Sequence, residues 1–189
     1  MFSILKDYLL GSTSLTENEV ETIAAYFKPL KAARKENLID FGQVCQSFYF
    51  INKGGLRIYT INKDGVETSR FFAFEGIFCT ALPSFIDQKP AFEYLQAIEK
   101  SVLLVISRTD FYTLVHKFPQ FERIYREILE FGFITSQKRI YGFQGFDALE
   151  KVRWVIKNQP QILQRVSNKM AASYLGISPA TLSRVKSKL

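Results

Sequence analysis

The closing stretch, residues 166–189, constrains this chain more than any other; it reads VSNKMAASYLGISPATLSRVKSKL. Two short helical patterns lie in it, one after Ser167 and one after Ser178. A serine in that position accepts a hydrogen bond from one of the amide groups that the first turn of a helix leaves free. Pro179 follows Ser178 where a helix does not need an N–H, and Gly176 supplies the left-handed residue that ends the first helix. Met170, Ala171, Tyr174 and Leu175 share one face of the first helix. In the second, Leu182, Val185 and Leu189 recur at helical spacing and leave Ala180, Ser183, Arg184, Ser187 and Lys188 outside. Two short helices across a glycine turn form the pattern of a helix-turn-helix. An ordinary helical hairpin leaves the same pattern, so other features must decide.

Charge is the first of them. Residues 1–110 carry 12 Lys/Arg against 13 Asp/Glu, whereas residues 111–189 carry 13 against 5, which gives nets of −1 and +8 within a total of +7. After Glu150 no acidic residue remains, while Lys151, Arg153, Lys157, Arg165, Lys169, Arg184, Lys186 and Lys188 follow. A one-signed excess favours a polyanionic partner, because each phosphate neutralised releases counterions. A basic tail alone is also an ordinary solvated face. Its coincidence with the two-helix pattern makes double-stranded DNA the expected partner.

Other classes are excluded in turn. At 189 residues the chain holds one medium domain or two small ones, with interior enough for a core. No apolar run approaches the length of a membrane span, so no membrane association is expected. The opening MFSILKDYLLGSTS interrupts its apolar stretch with Lys6 and Asp7, unlike a secretory signal, and a cytoplasmic location is expected. Cys45 and Cys79 are too few for a zinc or iron–sulfur site; each is expected to be a small buried residue, with redox sensing as the alternative. His116 has no partner cluster in sequence. With one histidine, no glycine-rich phosphate loop and no clustered metal ligands, an enzyme is not expected.

Along the chain, residues 14–30 read as a helix with Ser14 and Glu17 as its capping pair and Pro29 at its end. From residue 35 to about 107 the pattern becomes short β runs: NLIDF, SFYFIN, GLRIYTI, TSRFFAF, EYLQAI and VLLVIS. Gly54-Gly55 and Lys63-Asp64-Gly65 are hairpin-type turns, and many short strands between tight turns predict an antiparallel barrel or sandwich. The segment FEGIFCTALPSFIDQKP has room for a short helix and a functional loop. A short helix over 108–117 is expected to open at Thr109 or Asp110. A longer one, roughly 120–141, carries Phe121, Ile124, Ile128 and Phe131, with Tyr125, Leu129 and Phe133 widening the stripe. That width predicts a two-fold seam between copies, with packing on its own barrel as the alternative. Gly142 and Gly145 predict a break and hinge, Asp147 and Glu150 cap the next helix, and ILQRV reads as extended.

Taken together, the chain resembles the Crp/Fnr family of bacterial transcription regulators over nearly its whole length. The segments FYFINKGGLRIYTINKDGVE and ASYLGISPATLSRVKSKL carry the resemblance most specifically. It implies an α+β fold: an N-terminal cyclic-nucleotide-binding-like β-roll (a jelly roll) with flanking helices, a long dimerisation helix and a C-terminal helix-turn-helix. That last unit is winged-helix-like with a reduced wing, because no strand pair follows the recognition helix. The implied division is a sensor domain over 1–118, a dimerisation helix and hinge over 119–145, and a DNA-binding domain over 146–189. The resemblance further implies a homodimer on a near-palindromic operator, with RNA polymerase as a further partner.

Departures from the family pattern qualify that picture. Nucleotide-binding members hold the cyclic phosphate with Gly-Glu and then Arg followed by a small hydroxyl residue. By alignment, Thr80 and Ala81 stand at the first pair and Ala91 and Phe92 at the second. Without the ribose-binding Glu and the phosphate-binding Arg, burial of the anion is uncompensated, and Phe92 adds apolar bulk. Binding of cyclic AMP or cyclic GMP is therefore not expected; the effector is left unknown, and no cofactor is expected. Of the family's base-reading trio only the arginine has a counterpart, Arg184, with Pro179 and Ala180 in the other places. Arg184 is the expected guanine reader, and Ser178, Thr181, Ser183, Lys186 and Lys188 are expected phosphate contacts. The competing reading is a ligand-binding or protein-interaction module that kept this fold without specific DNA binding.

Overall fold

The computed structural model describes residues 2–189. Helix α1 (Ser3–Ser12) precedes α2 (Glu17–Ala24), whose capping box lies two residues later than Ser14 and Glu17. Thr16 accepts the Glu19 N–H at 3.3 Å, and the Glu19 carboxylate accepts the Thr16 N–H at 2.8 Å. The helix ends at Ala24 rather than at Pro29, which instead lies in strand β1 (Lys28–Ala32) opposite Leu104. Because β1 is at the edge of its sheet, the N–H that proline lacks costs little there.

The six strands expected from sequence are present as β2 (Asn37–Ile39), β3 (Ser47–Lys53), β4 (Leu56–Ile61), β5 (Glu67–Ala73), β7 (Tyr94–Ala97) and β8 (Ser101–Ser107). The two-residue β6 (Phe78–Cys79) joins β1 as a strand the patterning misses. They form two four-stranded sheets, ordered β1-β8-β3-β6 and β2-β7-β4-β5. Gly54, at φ +99°, turns β3 into β4 against Ser101, whose Oγ would lie 2.3 Å from an added Cβ; only glycine fits. Helix α3 (Leu82–Asp87) interrupts the irregular segment as anticipated.

Aromatic rings fill the interior between β3 and the helices. Phe48 stacks on Phe111 at 4.9 Å and meets Phe85 edge-on at 5.1 Å, and Phe50 meets Phe78 at 4.9 Å. Phe111 comes from α4 (Arg108–Lys117), which is capped by Ser107 rather than opened by Thr109 or Asp110, two and three residues further on. Phe121, on α5 (Pro119–Gly145), extends the cluster.

Helix α5 runs unbroken through Gly142 and ends at Gly145, so the expected break falls at the second of the two glycines, before Asp147 caps the next helix. Its first half buries Phe121 and Ile124, while its second half exposes Phe131, Phe133, Ile134, Ile140 and Tyr141. Four more helices follow: α6 (Ala148–Asn158), α7 (Pro160–Arg165), α8 (Asn168–Leu175) and α9 (Pro179–Lys186). Helix α7 replaces the extended ILQRV piece, because Pro160 sits in its first turn and Ile162 is buried as an anchor.

The chain divides into two compact units. One comprises Met1–Ile58 with Ala73–Glu130, and the other Tyr59–Phe72 with Phe131–Leu189. The second unit thus combines the outer part of the β4–β5 hairpin (Tyr59–Phe72), the second half of α5 and helices α6 to α9.

Candidate nucleic-acid interface

Helices α8 and α9 carry the caps expected of them. Ser167 Oγ accepts the Met170 N–H at 3.3 Å, and Ser178 Oγ accepts the Thr181 N–H at 3.0 Å. Gly176 takes a left-handed conformation at φ 66°, and its N–H returns to the Ala172 carbonyl. Ile177 N–H reaches the same carbonyl at 3.1 Å. The tightness of this turn fixes the angle between the helices.

Burial sorts the two faces. Ala171, Ala172, Tyr174, Leu175 and Leu182 are buried together with Val152, Val155 and Ile162. Ala172 replaces the half-buried Met170 on the inner face, and Leu189 lies beyond the end of α9, 53 % exposed. On the outer side Ser178, Ser183, Arg184, Lys186 and Lys188 are exposed and Thr181 is half-buried. These expected DNA contacts therefore lie on one short helix and its two flanks.

One residue of this unit escaped sequence reasoning. Asn168, at the start of α8, donates its side-chain amide to the Pro179 carbonyl and to Ser183 Oγ, both at 3.0 Å. It ties the opening of α9 to α8 and occupies one lone pair of the Ser183 hydroxyl, which keeps its own proton for another acceptor. A lone asparagine after a cap serine gives no signal of this in sequence.

The second missed residue is Arg139, on the second half of α5. Its guanidinium donates to the carbonyls of Ser69, Arg70 and Tyr174 and lies 4.4 Å over the Tyr174 ring. Burial holds its pKa below the usual guanidinium value. The Tyr174 hydroxyl donates to Gln159 Oε1 at 2.7 Å, and burial raises its pKa more than the Arg139 charge lowers it.

In the first unit, the segment aligned with the nucleotide cassette is tied down by its own bonds. Thr80 is buried, and its hydroxyl donates to the Ser47 carbonyl at 2.7 Å with Cys45 Sγ at 3.1 Å. Ala81 is buried and its carbonyl opens α3 by accepting the Phe85 N–H. Ala91 exchanges backbone hydrogen bonds with the 42–43 turn. Phe92 is 62 % exposed, so its ring does not add the interior bulk expected of it. The buried charges of this unit lie elsewhere, at Arg57 and Glu93. Arg57 Nε donates to Gln96 Oε1 at 2.9 Å, and the Gln96 amide continues to Asn37 and to the Lys35 carbonyl. Cys45 and Cys79 are both buried thiols. Among the described residues no three His, Cys, Asp or Glu side chains converge as for a metal ion, and no helix is long and apolar enough to cross a membrane.

Residues 29–118, which span most of both sheets, match the family model of the cyclic nucleotide-binding domain. The chain carries a cyclic nucleotide-binding domain in a Crp/Fnr fold. No curated protein sequence matches it. Among solved structures, FixK2 from Bradyrhizobium japonicum superposes with a TM-score of 0.76 at 15% identity, covering 86% of this chain and 84% of that one. The c-di-GMP-responsive global regulator CLP from Xanthomonas campestris gives 0.73 at 17%, covering 92% and 91%. The Thermus thermophilus catabolite activator protein gives 0.60 at 19%, covering 96% and 86%. At these identities the likeness establishes the fold. The matched residues lie in the β-roll and its helices, and α8 and α9 follow as two short helices joined by the Gly176 turn.

Proposed function

We propose that the chain is a homodimeric, sequence-specific transcription regulator that binds a near-palindromic operator, with α9 entering the major groove. The observation that carries this reading is the outer side of α9: a capped, exposed first turn followed by Arg184, in a stretch without an acidic residue after Glu150. Arg184 reads guanine through paired donors to O6 and N7. Ser178, Thr181, Ser183, Lys186 and Lys188 hold phosphates and set the register. The exposed residues Phe131, Ile134 and Tyr141 of α5 recur at three and seven and supply the seam for a second copy. The roll does not take cyclic AMP or cyclic GMP, since the aligned cassette offers two alanines, a threonine whose hydroxyl is engaged and an exposed phenylalanine. The dimer acts on RNA polymerase at the promoter.

Pro179 and Ala180, exposed where base-reading side chains are usual, favour the competing reading of a module that lost specific DNA binding. The two separate in one experiment. The chain is given a randomised duplex pool, and Arg184→Ala is compared with wild type on the selected sequence. The regulator reading expects a loss of about 1–3 kcal/mol per half-site and relaxed preference at one base position. A chain that enriches no sequence is the module instead.

A further inference from the structure

Helix α8 is connected to α5 in the chain only through α6 and α7, yet one side chain of α5 reaches it directly. The last carbonyls of a helix have no intrahelical partner, and that of Tyr174 is one of them in α8. It accepts from Arg139 Nη2 at 3.2 Å, which places a cation at the negative end of that helix. The same guanidinium donates to the Ser69 carbonyl at 3.2 Å and to the Arg70 carbonyl, both on β5.

Strand β5 is the last in its sheet, and an edge strand leaves alternate backbone groups open. Here α8 fills the place of a further strand. The Ser69 N–H donates to Ser173 Oγ at 3.2 Å, the two serine hydroxyls are 2.9 Å apart, and the Phe72 ring meets Tyr174 edge-on at 5.5 Å. Ser69 is fully buried by this contact. By helical spacing, Arg139 lies five residues from Ile134 and two from Tyr141, on the side of α5 away from them. One face of the helix thus holds α8 and the hairpin while the other is left open to a second copy.

Resting on the reading of the chain as a dimeric operator-binding regulator, we infer that Arg139 is a positioning residue: it locks the helix-turn-helix at one angle to α5, so that the two α9 helices of a dimer meet both half-sites together. Half-sites lie about 34–36 Å apart, one turn of DNA, and a small rotation of α8 at each end misplaces both recognition helices. A loosened unit still binds one half-site as before; what it loses is the gain from engaging the second within the same complex.

The test uses the full-length chain with the duplex that wild type selects from a randomised pool, and a second duplex truncated to one half-site. Arg139→Ala and Ser173→Ala are expected to weaken binding to the two-half-site duplex by roughly tenfold, leave the half-site duplex within about twofold, and speed amide exchange at Ser69. Arg139→Lys, which keeps the charge but not the planar fork, should recover part of the loss. Equal weakening on both duplexes, or unchanged binding with unchanged exchange at Ser69, overturns the inference alone. A wild-type chain that prefers no sequence overturns the DNA reading, and this inference with it.

Discussion

Leu182→Ala isolates the packing on which α9 depends. Leu182 is fully buried between α9 and the helices beneath it, whereas Arg184, two residues on, is exposed. The substitution removes three carbons, worth about 2.4 kcal/mol of transfer free energy at about 0.8 kcal/mol each, and leaves a cavity that adds roughly 1 kcal/mol. The expected loss is therefore about 3–4 kcal/mol. With a urea m-value of about 1.5 kcal/mol/M for so small a unit, the midpoint should fall by roughly 2 M. Trp154 makes the assay specific: it is the only tryptophan, and its ring meets Phe143 edge-on at 5.8 Å inside the second unit. Its fluorescence reports that unit alone. A shift smaller than about 0.5 kcal/mol, the scale of a surface substitution, would refute the assignment of Leu182 to the inner face and with it the outward placing of Arg184.

Two further outcomes follow from burial. The Tyr49 hydroxyl is pushed up to about 12 by burial and then by the nearby Cys45, and burial also raises Tyr125 and Tyr174. Unfolded tyrosine ionises near pH 10, so the stability these neutral hydroxyls contribute is complete below about pH 10 and falls as pH rises above it, that of Tyr49 being lost as pH passes through about 12. Urea midpoints measured across that range should fall steadily, and a flat profile would contradict the burial of these rings. On α5, Ile134→Glu places a charge within the exposed apolar stripe and should shift the chain from dimer to monomer in sedimentation equilibrium, with unchanged helix content; a dimer that persists would place the seam elsewhere.

The parts of this fold that the sequence reveals are those where local chemistry and tertiary packing agree. Ser178, Pro179 and Gly176 announce the helix-turn-helix because each satisfies a backbone need that exists before any packing. The six strands are legible because their aromatic and β-branched residues suit a pleated, largely buried surface. Pro29 misleads because a proline ends a helix and also suits an edge strand, and only the pairing of Pro29 with Leu104 distinguishes them. Gly142 misleads because the α5 helix tolerates it, with the Phe146 ring packed where a side chain would begin. The candidate site divides in the same way. Arg184 and its hydroxylic neighbours follow from helical spacing, which fixes what faces outward. Asn168 and Arg139 do not, since their partners, main-chain carbonyls and one serine hydroxyl, lie 11 to 70 residues away and leave no trace in residue type. Phe92 shows the reverse failure: alignment assigns it a position, but not the outward direction of its ring.

The central claim, that α9 reads DNA sequence through Arg184 while lysines hold the phosphates, is tested most directly by one salt series. Affinity is measured for wild type and Arg184→Ala, each on the selected duplex and on a scrambled one of equal length. If Lys186 and Lys188 of two protomers each neutralise a phosphate, log affinity should fall with log salt at a slope of about −3.6 on both duplexes. Arg184→Ala should keep that slope and lose most of the preference for the selected duplex. A slope near zero, or a variant whose preference survives intact, would contradict the account.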